Sequence, residues 1–289
     1  MEAEIADLLN LLELEQLEVN LFRGESRDVG SPQVFGGQVL GQALTAASAT
    51  VAGRVVHSLH AYFLRRGDFN APIVYQVDRS LDGHSFANRR VVAIQHGEQI
   101  FNMAASFQVV EEGLDHQIDM PPVPAPEALP DQSTLPPEMV KHMPERLKHF
   151  FAKPRPFTFR LVQEAGAGHK KAGKTEPARQ VWFKAVGKLP DDERLHRNLL
   201  AYASDFFLLG TSMLPHGISE FEGRLVMASL DHAMWFHRSL RVDDWLLYAM
   251  ESPSASGARG FAQAGVFSRD GRLVATIAQE GLVRIKRGK

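Results

Sequence analysis

An internal repeat is the feature that most constrains how this chain can fold. In the first half of the 289 residues, the segment 36–50 (GGQVLGQALTAASAT) has the small, apolar composition of a packed helix, and a β-type run follows at 55–68. Two further β-type runs, 85–95 and 99–110, are joined by His96-Gly97. This dipeptide predicts a hairpin turn, because glycine tolerates the positive φ that tight turns require.

The second half presents the same order of segments, displaced by roughly 170 residues. A predicted helix at 199–214 (LLAYASDFFLLGTSML) precedes β-type runs at 227–240, 256–268 and 272–285. Asp270-Gly271 stands at the last turn, where the first half has His96-Gly97. Strands joined by hairpins form antiparallel sheet, so each half predicts one long helix packed against a curled β-meander. The predicted fold class is α+β, duplicated.

The two halves are separated by a segment rich in proline. Ten of the 16 prolines lie between positions 121 and 156, and such a run cannot occupy a helix interior or a central strand. We therefore predict an N-terminal repeat at 1–112, a proline-rich surface linker at 113–153 with a short helix at 139–151, and a C-terminal repeat at 154–289.

Composition excludes several classes of partner and chemistry. The formal net charge is −2 and the sequence pI is about 6.6, so no strong field favours nucleic acid or an anionic membrane surface. The chain has no cysteine, which rules out disulfides, a thiol nucleophile and thiolate zinc sites. The first residues are acidic, and no apolar run reaches the roughly 18 residues that a membrane span needs. We expect a soluble cytoplasmic protein with a small-molecule partner.

Seven segments, in order over nearly the whole chain, resemble the type II acyl-CoA thioesterases. They are VFGGQVLGQAL (34–44), HSLHAYFLRRGD (57–68), RQVWFKA (179–185), AYASD (201–205), DHAMWFHR (231–238), SASGARGF (254–261) and QEG (279–281). The resemblance implies a double hotdog fold, with a long helix wrapped by a curled antiparallel sheet twice per chain. It implies hydrolysis of fatty acyl-CoA, of medium to long chain length and broad range, to fatty acid and CoA without a cofactor or metal.

The resemblance also implies a catalytic set of Asp205, Ser229 and Gln279. Ser229 stands where many members of the family have threonine, which keeps the hydroxyl and drops a methyl group. These group types suit thioester hydrolysis, because a carboxylate in a dry site can act as general base while an amide and a hydroxyl hold the water. The first-half helix carries no acid, so the repeat predicts one active site per chain. Backbone N–H groups are expected to stabilise the oxyanion.

Two short patterns suggest other enzymes, but their context argues against them. GHKKAGKT (168–175) satisfies the Walker A pattern, yet Pro177 and a β-type run follow it where that motif requires a helix. We predict instead the tip of a hairpin between strands at 157–163 and 179–186. GHSFA (83–87) approaches the nucleophile-elbow pattern but leads into a strand.

Two other functions remain open from the sequence, a non-catalytic acyl-CoA or fatty-acid binding module and a hotdog enoyl-CoA hydratase. We also expect a homo-oligomer, either a dimer or a tetramer, from the usual preference for symmetric assembly. Two sets of residues are candidates for the rest of the substrate site, although surface pairing and core packing are the more ordinary explanations. These are arginines for CoA phosphates (Arg65, Arg66, Arg90, Arg259) and aromatic residues for an acyl tunnel (Phe206, Trp235, Phe236).

Overall fold

The computed structural model of the protein describes residues 3–30, 33–130, 155–162, 176–218 and 225–286. The helices in these ranges are α1 Ala3–Leu12, α2 Gly36–Ala49, α3 Glu193–Ala203 and α4 Leu208–Thr211. The first-half strands are β1 Glu15–Glu18, β2 Leu21–Gly24, β3 Val55–Phe63, β4 Ile73–Asp82, β5 Phe86–Gln95 and β6 Glu98–Gln108. The second-half strands are β7 Phe157–Leu161, β8 Ala178–Ala185, β9 Leu225–Ser229, β10 Asp231–Phe236, β11 Leu246–Ser256, β12 Arg259–Ser268 and β13 Leu273–Ile285.

The described strands form one antiparallel sheet, in the order β1-β2-β4-β5-β6-β3-β10-β13-β12-β11-β8-β7, with β9 added on β13. Counted outward from the β3–β10 junction, the main strands lie in the order β3-β6-β5-β4 in the first half and β10-β13-β12-β11 in the second. The two orders are equivalent. At that junction Leu59 pairs with Met234. The turns at Gly97 and Gly271 have φ of 78° and 88°, as the sequence predicted. The predicted α+β class, with few helices and a large antiparallel sheet, is confirmed.

The backbones of helices α2 and α3 lie close together where the two helices pack against each other. An added Cβ at Gly37 would lie 2.2 Å from the Tyr202 carbonyl oxygen, and one at Gly41 would lie 3.3 Å from the Tyr202 Cβ. Asn198 Nδ2 also donates to Thr45 Oγ1 across the same interface at 3.1 Å. The small residues of α2 therefore let the two helix backbones approach where a larger side chain would separate them.

The predicted helix at 199–214 is wrong as a single element. Helix α3 ends at Ala203, a turn occupies 204–207, and α4 is only four residues long. Phe207 adopts a left-handed φ of 66°, which a helix cannot continue through. The Ser204 hydroxyl donates to the Ala201 carbonyl at 2.8 Å, satisfying one of the acceptors that the helix leaves at its end. Asp205 consequently lies in a turn rather than within a helix.

The described part of the proline-rich linker packs on the outer face of the second-half sheet. Trp182 Nε1 donates to the Pro124 carbonyl at 3.0 Å, and Arg160 donates to the Pro126 carbonyl at 2.7 Å. Apolar side chains of the linker, Met120 and Val123 among them, pack against a small cluster that includes Trp182. The predicted helix at 139–151 and the Walker A-like pattern at 168–175 lie outside the described residues. The flanking strands β7 and β8 do pair, in the antiparallel register that a hairpin gives.

We predict that Gly37→Ala destabilises the fold by overpacking the α2–α3 interface. The new methyl group would meet backbone, which cannot move aside, and overpacking of this kind costs about 1–3 kcal/mol. Urea unfolding followed by circular dichroism should show the loss. Gly113→Ala is the matched control, because an added Cβ there meets nothing within 4 Å. A Gly37→Ala midpoint equal to that of the wild type would contradict this account of the helix packing.

Candidate active site

The three side chains singled out in the sequence converge on one hydrogen-bonded cluster. Gln279 Nε2 donates to Asp205 Oδ1 at 2.7 Å and to Ser229 Oγ at 2.9 Å. Ser229 Oγ also lies 3.3 Å from Asp205 Oδ1, as a donor. Residues separated by up to 74 positions in the chain are thus brought into direct contact.

The sheet positions two members of the cluster. Ser229 is the last residue of β9 and pairs with Gly281 on β13, two positions beyond Gln279. Residues two apart on a strand share a face, so the Gln279 side chain lies on the same face of the sheet as that of Ser229. Gly281 faces α4, and an added Cβ there would lie 2.3 Å from Leu209 Cδ2. The absence of a side chain at Gly281 lets α4, and the turn before it that carries Asp205, pack close to β13.

The first half of the chain contributes a fourth contact that the sequence analysis missed. The Gly37 backbone N–H, at the start of α2, donates to Asp205 Oδ2 at 3.1 Å. An added Cβ at Gly36 would lie 2.6 Å from the same oxygen. The start of a helix carries a partial positive charge, so α2 stabilises the carboxylate at this position. The Gly36-Gly37 pair was the available signal, because glycine permits such a close approach.

Burial raises the pKa of Asp205 from 3.8 to about 6, and this is the dominant effect on the group. The hydrogen bonds from Gln279, Ser229 and the Gly37 N–H act in the opposite direction and limit the rise. The side chain is only partly exposed. At pH 7 and above the carboxyl is therefore ionised, yet its pKa lies close enough to neutrality for proton transfer in both directions.

A cavity of about 180 Å³ lies beside the cluster. Its walls come from both halves of the chain, including Gly36, Phe63 and Arg66 from the first half and Ser229 from the second. A larger cavity of about 450 Å³ lies beyond Tyr202 and Phe206, under α1. The smaller cavity is lined by Ser229, which contacts the Asp205 carboxylate, and the larger one by Phe206, the residue that follows Asp205 in the turn.

Two comparisons of the sequence identify the family. Family models described as acyl-CoA thioesterase and acyl-CoA thioesterase N-terminal domain match residues 152–282 and 24–108. Acyl-CoA thioesterase 2 of Haemophilus influenzae is 43% identical over 280 residues, covering 96% of this chain and 97% of that protein. This chain belongs to the acyl-CoA thioesterase family.

Solved structures agree with this membership. The acyl-CoA thioesterase II TesB2 of Mycobacterium marinum matches with a TM-score of 0.80 and 43% identity, covering 97% of this chain and 99% of that one. A protein with a hot dog fold from Alicyclobacillus acidocaldarius matches with a TM-score of 0.74 at 19% identity, covering 96% and 98%. The second likeness concerns the fold alone. The family resemblance carried by the sequence segments is confirmed.

The other candidate residues of this thioesterase divide between the site and its surroundings. Arg65 and Arg66 line the smaller cavity, and Arg65 is paired with Glu98 at 3.0 Å. Arg259 is held by Glu280 at 2.9 Å on β13. Of the three aromatic candidates, Phe206 lines the larger cavity. Trp235 instead packs edge-on against His60, and Phe236 lies under the Arg197 guanidinium. Arg90 is exposed on β5 and lines neither cavity.

Two classes of feature are absent from the described part of the thioesterase chain. Within it, no group of three or more histidine, aspartate or glutamate side chains is arranged to hold a metal ion. No helix there is long and apolar enough to cross a membrane.

We predict that Asp205→Asn abolishes a loss of stability that the wild type undergoes as pH rises from 3.8 to about 6. The folded pKa, about 6, exceeds the unfolded value of 3.8, so the folded state binds the extra proton between these pH values. The wild type therefore loses stability as pH rises through this window, by on the order of 2–3 kcal/mol, whereas the asparagine variant does not. Unfolding midpoints at pH 4.5 and 8 measure the difference, with the exposed Asp119→Asn as control. Parallel pH profiles for Asp205→Asn and wild type would refute it.

Proposed function

We propose that this protein hydrolyses fatty acyl-CoA thioesters of medium to long chain length to free fatty acid and CoA. The observation that carries the proposal is the contact of Asp205, Gln279 and Ser229 in a member of the acyl-CoA thioesterase family. The relatives named above supply the substrate class. The hydrogen-bonded cluster supplies a reason for locating the chemistry at these three side chains.

In the proposed mechanism, Asp205 is the general base that takes a proton from a water molecule. The water oxygen attacks the thioester carbonyl carbon, and the C=O electron pair moves onto oxygen to form a tetrahedral oxyanion. Gln279 and Ser229 orient the water and the carboxylate relative to each other through hydrogen bonds. A positioned base typically contributes about 10² to 10⁴ in rate, and the pKa near 6 suits this role.

Collapse of the tetrahedral species breaks the carbon–sulfur bond and releases CoA as its thiolate. A thiol pKa near 8.5, as in cysteine, makes this leaving group good enough to depart without a strong acid. The proton held by Asp205 then passes to the sulfur or to solvent, which restores the carboxylate. We propose that the partial positive charge at the start of α2, which lies against Asp205, helps to stabilise the oxyanion.

We further propose that the chain is a double hotdog, with repeats at 1–112 and 154–289 joined by the 113–153 linker. The symmetric strand order on the two sides of the β3–β10 junction supports this division. The proposal includes one active site per chain, because α2 carries no acid and the first half meets the site through Gly37. Cytoplasmic location, the absence of nucleic-acid and membrane partners, and assembly into a dimer or tetramer are proposed on composition and family grounds.

The two alternatives are less well supported. A binding module needs no buried acid beside its cavity, because the cost of burying the carboxylate brings no gain in affinity for a neutral acyl chain. A hydratase of the kind considered pairs its aspartate with a nearby histidine. The described partners of the Asp205 carboxylate are Gln279, Ser229 and the Gly37 N–H, with no histidine among them.

Substitutions at the cluster should separate a catalytic role from a structural one. We expect Asp205→Asn to reduce kcat/KM for palmitoyl-CoA by about 10² to 10⁴, because the base is lost while the shape is kept. Free-thiol release measures the rate. Ser229→Thr, which keeps the hydroxyl, should stay within about tenfold of wild type, whereas Ser229→Ala should fall further. Full activity of Asp205→Asn would contradict the assignment of Asp205 as the general base.

The pH dependence of the reaction should report the same carboxyl. We expect kcat/KM to rise with pH to a plateau, with an acid midpoint near the Asp205 pKa of about 6. The hydrogen bond from Gln279 lowers that pKa, so Gln279→Leu should move the midpoint to higher pH. Initial rates between pH 4.5 and 8 test both statements. A wild-type profile that stays flat across this range would exclude Asp205 as the titrating base.

A further inference from the structure

A buried serine and a buried histidine lie directly behind the Asp205 turn and have no part in the mechanism above. Ser204 Oγ is 2.9 Å from His232 Nε2. Ser204 is 1% exposed and His232 is fully buried, on strand β10. Ser204 precedes the proposed base in the chain, so any contact that fixes Ser204 acts on the position of the Asp205 side chain.

Ser204 is fastened through its backbone as well as its side chain. The Tyr248 hydroxyl donates to the Ser204 carbonyl at 2.6 Å, and the Ser204 N–H donates to the Leu200 carbonyl at 2.8 Å. The Ser204 hydroxyl reaches the Ala201 carbonyl in addition to the His232 ring. These bonds matter because the 204–207 turn has left the regular helix, and the next residues turn at Phe207 in the left-handed region. His232 from β10 and Tyr248 from β11 supply hydrogen bonds here in place of those that a continuing helix would make.

His232 also stands beside another member of the cluster. The β10–β13 ladder ends at Ala233 opposite Ala278, and His232 and Gln279 are the next residues on the two strands beyond that pair. Cross-strand neighbours on an antiparallel pair have Cβ atoms about 4.5–5.5 Å apart. His232 therefore contacts the Ser204 hydroxyl and lies at the end of the β10–β13 ladder next to which Gln279 also stands.

An ordinary core position does not account for this pair of neighbours. His232 Nδ1 and Gln279 Oε1 are both buried and have no hydrogen-bond partner within the described residues. Burying an unsatisfied polar atom costs about 1–3 kcal/mol, so apolar side chains would give a more stable core here. Burial lowers the pKa of His232 to about 3, which keeps the ring neutral. A neutral ring can support the carboxylate and amide without adding a charge next to them.

We propose that Ser204 and His232 are positioning residues of the catalytic centre, which hold the Asp205 turn and the Gln279 side chain in register with each other. The inference rests on the proposed roles of Asp205 and Gln279. It adds His232 on β10 to the site, linked to Asp205 through Ser204 and to Gln279 by their neighbouring positions at the end of the β10–β13 ladder.

The test is steady-state kinetics of Ser204→Ala and His232→Leu with palmitoyl-CoA. We expect kcat to fall by about 10- to 100-fold, since small displacements of reacting groups have effects of this size, while KM stays within about twofold. His232→Gln retains a donor near the position of Nε2 and should recover a large part of kcat. Should His232→Leu fail to fold, Ser204→Ala and His232→Gln decide the matter.

Two matched controls separate positioning from loss of stability. His196 is 1% exposed on α3, and its Nδ1 accepts from the Val242 N–H at 3.2 Å, away from the cluster. Ser212 is 1% exposed, and its hydroxyl donates to the Leu209 carbonyl at 2.7 Å. His196→Leu and Ser212→Ala should lose thermal stability to a similar degree but keep kcat within about twofold, measured well below their melting temperatures.

The possible outcomes distinguish this inference from the proposed function. Unchanged kcat in Ser204→Ala and His232→Leu, with Asp205→Asn inactive, would overturn the positioning role alone. An equal loss of kcat in the His196→Leu and Ser212→Ala controls would overturn it too, because the effect would then be a general one on stability. Full activity of Asp205→Asn would instead remove the proposed base, and the positioning role with it.

Discussion

The site depends on the close approach of helices α2 and α3. Glycine at positions 36 and 37 brings the start of α2 within hydrogen-bonding distance of a carboxylate that belongs to the other half of the chain. A side chain at Gly37 would meet the Tyr202 backbone and push the helices apart. The separation would remove both the N–H donor and the positive end of the helix from Asp205. Helix packing and the electrostatics of the site are therefore one constraint.

That constraint explains how the protein keeps an ionisable acid in a poorly solvated place. Burial alone would favour the neutral carboxylic acid, because a charge leaves water at high cost. Three donors from three separate elements, α2, β9 and β13, compensate only in part, and the pKa settles at about 6. More donors would produce a weak base that is ionised at all relevant pH values. Fewer would leave the acid protonated at neutrality.

The sequence predicted much of the fold because its signals were local and repeated. Alternating strands and the turns at Gly97 and Gly271 carry their own hydrogen-bond pattern, so an antiparallel meander follows from them. The break at 204–207 was missed, because residues on both sides are apolar and the cause is tertiary. The Tyr248 hydroxyl that holds Ser204 comes from a strand 44 positions away. No helical period or capping residue marks such a bond.

The proposed catalytic residues were predicted by family resemblance, whereas the support around them needed coordinates. The repeat gave the correct expectation that α2 lacks an acid, but it hid the contribution of that helix. Gln42, a buried polar residue of α2, accepts from the Tyr75 hydroxyl at 2.7 Å and donates to the Leu11 and Glu25 carbonyls. Its amide oxygen and nitrogen are thus both engaged in holding the first half together.

Under the proposed double-hotdog division, the contrast between Gln42 and Asp205 separates a structural role in the first half from a catalytic one in the second. In the first half the helix runs unbroken for 14 residues, and its buried amide is satisfied by neighbouring backbone. In the second half the helix ends at Ala203, and the chain then forms a turn in which Phe206 lines the larger cavity. The broken helix places a carboxylate against Ser229, which lines the smaller cavity, and the intact helix supplies the positive terminus that donates to that carboxylate. Each half would be incomplete as a site without the other, because the donor at Gly37 and the acceptor at Asp205 are 168 residues apart in the chain.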